Sequence, residues 1–270
     1  MLSRTTDRPE RRARKNGRSG AQSVERAFAV LREIGTARTT GVTAAAIAAE
    51  LRLNRTTVHR LLKCMLAEGA VRNVGARARY VLGPLAYELG LAAREQLDLH
   101  GLFAPALSTM AEKTGDTCFL MMRSGNEAVC IDRKLGAYPI KTLVVDVGTR
   151  RPLGVGAGSL AILSALPEDD MRRIVRDTTD RLPAYGITAG AVTKSVRIAQ
   201  KTGYVSSIVH GVDGVIAVGV PILEPSGNPV AALSIAAIAK RMGKTRQAEL
   251  VALLRGETAR LQKLLTRARD

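Results

Sequence analysis

Between Val42 and Gly83 the chain spells two short helices, a tight connection and a pair of short strands, and that order leaves little choice of fold. Ala46, Ile47, Ala49 and Leu51 give the first helix an apolar face. Thr43 precedes it as an N-cap, able to accept from a free N–H at the helix start. Arg52-Leu53-Asn54 is the connection, with Leu53 placed to plug the core between the helices. In the second helix Val58, Leu61, Leu62 and Met65 recur at spacings of three and four, the buried stripe of an amphipathic helix. Arg55, Thr56, His59, Arg60 and Lys63 lie off that stripe. Gly69 ends the helix. Ala70–Asn73 and Arg79–Leu82 then alternate as two strands around a turn that holds Arg77.

An apolar back with a basic, hydroxyl-bearing front suits a helix that enters the major groove of DNA with its N-terminal residues at base edges. Arg and Lys match guanine O6 and N7, and Thr meets a base edge or a phosphate. The segment therefore reads as a winged helix-turn-helix. Arg55, Thr56, Thr57, His59, Arg60 and Lys63 form its expected recognition surface, with Arg77 and Arg79 on the wing. On an isolated helix such a basic face is more often only solvated. Here a cap, a turn, a basic front and a basic wing coincide, and double-stranded DNA is the expected partner.

Charge agrees with this placement. The 270 residues carry a formal +17. Residues 1–83 hold 17 Lys and Arg against 6 Asp and Glu, and residues 84–270 hold 24 against 18. The excess sits with the helix-turn-helix, the footprint of a polyanion partner. Residues 1–20 are Arg-rich and nearly devoid of apolar side chains, so they are expected to be a disordered basic tail and not a secretory signal. No uncharged apolar run reaches the length of a membrane span. Cys64, Cys118 and Cys130 are odd in number and scattered, which favours reduced thiols in a cytoplasmic protein. Cys118 and Cys130 fall in apolar strands and read as core.

Four segments follow from the patterning: the tail over 1–20, a DNA-binding domain over 21–83, a linker helix over 84–99 and a larger domain over 100–268. Gln22–Gly35 is the first helix of the DNA-binding domain, with Val24, Ala27, Phe28, Val30 and Leu31 on its apolar face. Pro84 suits the first turn of the linker helix. In the larger domain Ala104–Gly115, Ala157–Leu166, Glu168–Asp177, Ala189–Thr202 and Lys244–Arg267 read as helices. Thr117–Arg123, Ala128–Arg133, Ile140–Val147, Tyr204–Val209, Gly214–Leu223 and Pro229–Ala239 read as strands. Hairpin-linked strands with helices between them predict an α+β domain, an antiparallel sheet covered by helices.

Taken in order and spacing, QSVERAFAVL (22–31), LNRTTVHRLL (53–62), AEGAVR (67–72), RYVLG (79–83), the TGDT to IDR hairpin (114–133), VGTRRPL (147–153), TGYV (202–205), GVIAVGVPI (214–222) and PVAALSI (229–235) resemble the IclR family of bacterial transcription regulators. The resemblance implies a C-terminal effector domain with a GAF-like sheet. It further implies homodimers, often paired into tetramers, on palindromic promoter operators, and a small-molecule effector, commonly an organic or aromatic acid from catabolism. The family's effector positions map onto the backbone amides of Gly156 and Ala157, and onto Ser207, Ala217 and Ser234. Where relatives carry an acidic cluster, this chain has Ser207, Ile208, Val209 and His210, and a second hydroxyl position is Ala236. A less polar pocket is expected.

An enzyme is the competing reading of the larger domain, as a hydrolase or a nucleotide binder. Gly154-Val155-Gly156-Ala157-Gly158-Ser159 resembles a phosphate cradle but lacks the Lys-Ser/Thr of a P-loop. Ser159, His210 and Asp213 or Asp146 assemble into a triad only on paper, without a GxSxG elbow. His59, His100 and His210 are too few and too dispersed for a metal site. No catalytic residue, metal or cofactor is expected. A purely architectural DNA binder would need no second domain of this size.

Overall fold

The computed structural model describes residues 10–37, 40–75, 78–96 and 99–267. The chain divides into two compact units, the first ending at Gln96 and the second beginning at Leu97.

In the first unit, α1 (Glu10–Thr36), β1 (Val42–Thr43), α2 (Ala44–Glu50), α3 (Arg55–Ala67), β2 (Val71–Val74), β3 (Arg79–Leu82) and α4 (Pro84–Gln96) follow in order. Val30 and Ile34 of α1, Ile47 of α2 and Val58 and Leu62 of α3 close one core, with Leu53 packed against it as expected. Thr43 Oγ1 accepts from Ala46 N at 3.2 Å, the cap read from the sequence. The C-terminus of α3 closes with Gly69 N donating to Leu66 O at 3.2 Å and Ala70 N to Met65 O at 2.9 Å, which satisfies two of its terminal carbonyls. β3 runs between β1 and β2, both antiparallel to it.

The first helix is longer than its sequence pattern. α1 starts at Glu10, so residues 10–20 are helical where a disordered tail was expected. Arg, Ala and Lys at 11–15 are strong helix formers. Adding turns to a helix already anchored by Val30 and Ile34 avoids the cost of nucleation.

The second unit comprises α5 (Leu99–Thr114), β4 (Thr117–Ser124), β5 (Glu127–Lys134), β6 (Arg150–Pro152), α6 (Ala157–Ser164), α7 (Glu168–Thr178), a 3-10 turn over Thr179–Tyr185, α8 (Ala189–Thr202), β7 (Val205–Ile208), β8 (Val215–Leu223), β9 (Pro229–Ile238) and α9 (Lys244–Arg267). Its six strands form one antiparallel sheet in the order β6-β5-β4-β9-β8-β7. Successive side chains on a strand point to opposite faces, and both faces are covered. Phe103, Leu107 and Met110 of α5 and Leu250, Leu254 and Leu261 of α9 pack on the face presenting Leu120, Val218, Val220, Leu233 and Ile235. Leu160 of α6, Ile174 of α7 and Val192 and Val196 of α8 pack on the face presenting Met121, Ala217, Ala232 and Ala236. Cys118 and Cys130 are buried in this sheet. Burial pushes their thiols up to about 12 and about 11.

One expected strand is absent. Residues 140–147 form no ladder. The edge of β5 is taken instead by β6, with Ala128 opposite Arg151. Side chains satisfy the backbone of 140–147: Thr142 N donates to Thr117 Oγ1 at 3.3 Å, Arg151 Nη2 to Val144 O at 2.7 Å and Arg133 Nη1 to Val145 O at 2.9 Å. Ile140 and Leu143 stay outside, more than half exposed, while Val144 and Val145 are half-buried against the core.

Glu127 fixes the sheet edge. It pairs with Arg150 at 2.8 Å and with Arg181 at 2.7 Å. Burial by itself would raise its carboxyl, but the hydrogen bonds from Arg181 and Arg150 outweigh that and hold it below the usual carboxylate range. Such a group stabilises the fold above its ordinary value of 4.5, and the contribution is lost as pH falls through the lower folded value. Glu127→Gln is therefore expected to cost about 1–3 kcal/mol at neutral pH. Thermal denaturation of both proteins across pH should show the gap constant above pH 5 and shrinking towards pH 3; a pH-independent gap would mean that charge is not its source.

Candidate functional site

Two surfaces, one in each unit, gather the residues singled out from the sequence. On α3 the stripe of Val58, Leu62 and Met65 is buried, which turns the opposite side outward. Arg55, Thr56, His59, Arg60 and Lys63 are exposed there, and Thr57 is half-buried. Asn54 takes the N-cap position without a side-chain cap bond, so the first-turn N–H groups lack that partner. The exposed face carries cations, an imidazole and hydroxyls on one rigid helix. Cys64 shares it.

The wing is less simple. Arg77 lies outside the described residues. Arg79 is exposed, but its Nη1 donates to the carbonyls of Thr40 at 3.2 Å and Gly41 at 2.7 Å. Its guanidinium thus ties the chain entering β1 to β3.

The second surface is a small pocket in the sheet face beneath α6, partly open to solvent. Small residues make the room. Ala217, Ser234 and Ala236 form part of its lining where β8 and β9 present their short side chains. α6 sits close over them: a Cβ on Gly219 would stand 2.8 Å from the Ala157 carbonyl oxygen, a distance only glycine avoids. Gly156, at φ 88°, turns the chain into α6, a left-handed conformation that suits glycine. The backbone of Gly156 and Ala157 borders the pocket.

Gly156, Ala157, Ala217 and Ser234 are thus brought together. Ser207 is not among the lining residues; it lies opposite Ala217 in the ladder, one strand further out. Val209, at one of the positions where relatives carry acidic groups, also lines the pocket, while Phe119 and Met121 of β4, Val144 and Val145, Val155, and Arg151 of β6 carry no mapped effector position. Alternation along β4 holds the signal for Phe119 and Met121, since they share a face. The others come from irregular backbone or from a three-residue strand, where periodicity is silent.

The glycine run over 154–158 is explained by the turn and by packing. A Cβ on Gly154 would meet Val192 at 2.7 Å, and one on Gly158 would meet Met121 at 2.7 Å. Ser159 is buried. Its Oγ donates to Val155 O at 2.9 Å and accepts from Gly154 N at 3.1 Å, so its hydroxyl serves the same turn. Among the described residues no group of three or more His, Cys, Asp or Glu is placed to hold a metal. No helix among them is long and apolar enough to cross a membrane.

Residues 23–75 match the IclR helix-turn-helix domain, and residues 91–262 match the bacterial transcriptional regulator IclR C-terminal family. The HTH-type transcriptional repressor AllR of Salmonella typhimurium is 28% identical over 245 residues, 88% of this chain and 89% of that protein. An IclR transcriptional regulator from Alicyclobacillus acidocaldarius has the same fold, with a TM-score of 0.72 at 24% identity over 90% of this chain and 98% of that one. An IclR homologue from Microbacterium hydrocarbonoxydans, solved in complex with 4-hydroxybenzoate, gives a TM-score of 0.67 at 21% identity over 91% and 99%. With both of its units matched and their order kept, the chain belongs to the IclR family of bacterial transcriptional regulators.

Proposed function

We propose that this regulator binds a palindromic promoter operator through α3 and that a small organic acid or aromatic effector in the α6 pocket changes operator occupancy, controlling a catabolic operon. The observation that carries the reading is the exposed basic front of α3 on a buried apolar back, inside a helix-turn-helix of a regulator family. Arg55, Thr56, Thr57, His59, Arg60 and Lys63 meet the DNA, with Arg77 of the wing on phosphate. Arg79 serves the fold first, because its Nη1 is engaged with Thr40 and Gly41.

The effector meets Ser234, Ala217 and the amides of Gly156 and Ala157, while Ser207 stands behind this shell. The Microbacterium homologue holds an aromatic acid, and the largely apolar lining here is of the character that such a ring would meet. Effector control works through unequal affinity for two arrangements of the protein. The chain acts as a cytoplasmic regulator and not as an enzyme. The internal hydrogen bonds of Ser159 support this, since they leave the triad without its nucleophile.

Operator recognition is tested by fluorescence anisotropy with DNA from upstream of the protein's own gene against a scrambled duplex at about 150 mM salt. A preference of about a thousandfold or more is expected. Equal binding to both duplexes, or to neither, removes the reading. Arg60→Ala should weaken operator binding by about 1–3 kcal/mol and relax specificity at one base position. A uniform loss across sequences, with a shallower salt slope, would assign Arg60 to a phosphate instead.

The protein is a homodimer or a dimer of dimers in this reading. α4 leaves Tyr87, Leu89 and Leu91 exposed, and α1 leaves Val24 and Phe28 more than half exposed. Apolar surface of this kind is characteristic of a protein–protein contact. Sedimentation velocity should give a dimer or larger species for the native chain and monomer for Leu89→Glu; an unchanged distribution would place the interface elsewhere.

A further inference from the structure

We propose that Arg151 is the anion anchor of the α6 pocket, and that the pocket therefore takes a monocarboxylate with an apolar body. This rests on the reading of that pocket as the effector site. Among the described residues Arg151 is the one Lys or Arg that lines it; the remaining walls are largely Phe119, Met121, Val145, Val155 and Val209.

The arginines around this sheet edge are not equivalent. Arg150 is paired with Glu127 at 2.8 Å and donates to Ser124 at 2.9 Å. Arg133 is paired with Asp146 at 2.8 Å. Arg151 points to the other face of β6 from Arg150, opposite Ala128 in the ladder. There its Nη2 donates to the Val144 carbonyl at 2.7 Å, and its guanidinium stands 5.8 Å from the Tyr185 ring centroid. The described groups that act on its charge, apart from burial, are Tyr185 and Cys130, and no carboxylate is among them. Burial accordingly holds this guanidinium below the usual arginine range, although an arginine stays charged.

A guanidinium has five N–H donors. The Val144 carbonyl takes one and fixes the side chain, and donors are left at the pocket wall. A carboxylate supplies the missing counter-charge, and two parallel N–H···O bonds are the geometry that guanidinium and carboxylate share. The N-terminus of α6 at Gly156 and Ala157 borders the same space and favours the same sign of charge. One cation matches one negative charge, and the valine and aromatic walls match a hydrocarbon body. A dianion, such as a phosphate monoester or a dicarboxylate, would leave a charge against those walls without a partner.

Isothermal titration of the full chain with benzoate, cyclohexanecarboxylate and 4-hydroxybenzoate, each beside its carboxamide, tests the assignment. The acids are expected to bind about 10- to 100-fold more tightly than the amides, the range of a charge-assisted hydrogen bond. Arg151→Met should abolish that preference and Arg151→Lys should restore part of it. Equal binding of acid and amide to the native protein overturns the anchor and leaves the pocket in place. So does an undiminished preference in Arg151→Met. Because the acid–amide comparison uses native protein, it stands even if Arg151→Met does not fold. Tighter binding of phenyl phosphate than of benzoate overturns the monocarboxylate assignment. If no member of the series binds the native chain, the effector reading of the pocket falls with the proposal.

Discussion

Strands β8 and β9 lie inside the sheet and are covered on both faces, and their two faces differ in size. Towards α5 and α9 they present Val218, Val220, Ile222, Leu233 and Ile235, all buried. Towards α6 they present Ala217, Gly219, Ala232, Ser234 and Ala236. The large side chains fill the space beneath two long helices. The small ones let α6 descend until its first residues touch the sheet at Gly219. A helix that close cannot cover the neighbouring strip, and the space left beside it is the pocket. A leucine at Ala217 or Ala236 would fill this room, and a side chain at Gly219 would lift the helix. The same alternation that makes the core thus makes the site.

Much of this is legible in GVIAVGVPI and PVAALSIAA, where large and small residues alternate with the period of a strand. The DNA-binding unit is equally legible, because its cap, stripe and turn are local signals and its core is built from neighbours in sequence. Reading failed where the backbone is satisfied by side chains from a distance. Residues 140–147 have the composition of a strand, yet their carbonyls are taken by Arg133 and Arg151, and Thr142 reaches Ala236 O at 2.7 Å. No local pattern reports such bonds. The wall formed by Val144 and Val145, and the role of the short strand that holds Arg151, were hidden for that reason. The extension of α1 back to Glu10 has no such signal, because apolar periodicity stops near Gln22 and Asn16-Gly17-Arg18-Ser19-Gly20 is poor in helix formers.

Arginine is used differently along the chain. On α3 the basic groups stand in water, where exposed charges cost little and attract a polyanion over distance. Around β4, β5 and β9 they are structural. Asp116, buried, is held by Arg241 at 2.9 Å and Arg246 at 3.5 Å, which fastens the start of α9 beside the end of α5. Glu127 joins Arg150 to Arg181 in the same way. In each case one acid answers two arginines, so part of the net positive charge of the second unit sits on side chains that also position its helices and strands.

Arg151 departs from that rule, and the departure has a thermodynamic consequence. A charged group removed from water without a counter-charge is unfavourable, and a carbonyl and an aromatic ring compensate it only in part. Filling the pocket with hydrocarbon alone would strip away more of its remaining water. A neutral apolar ligand therefore gains from the valines and loses at the guanidinium, whereas a carboxylate gains at both. The discrimination comes from the cost of leaving a half-buried guanidinium unmatched once a ligand covers it, which exceeds the net value of the bond itself. Because Arg151 also holds the Val144 carbonyl, a ligand drawn to it acts on the segment 140–147, whose apolar residues Ile140 and Leu143 lie on the surface.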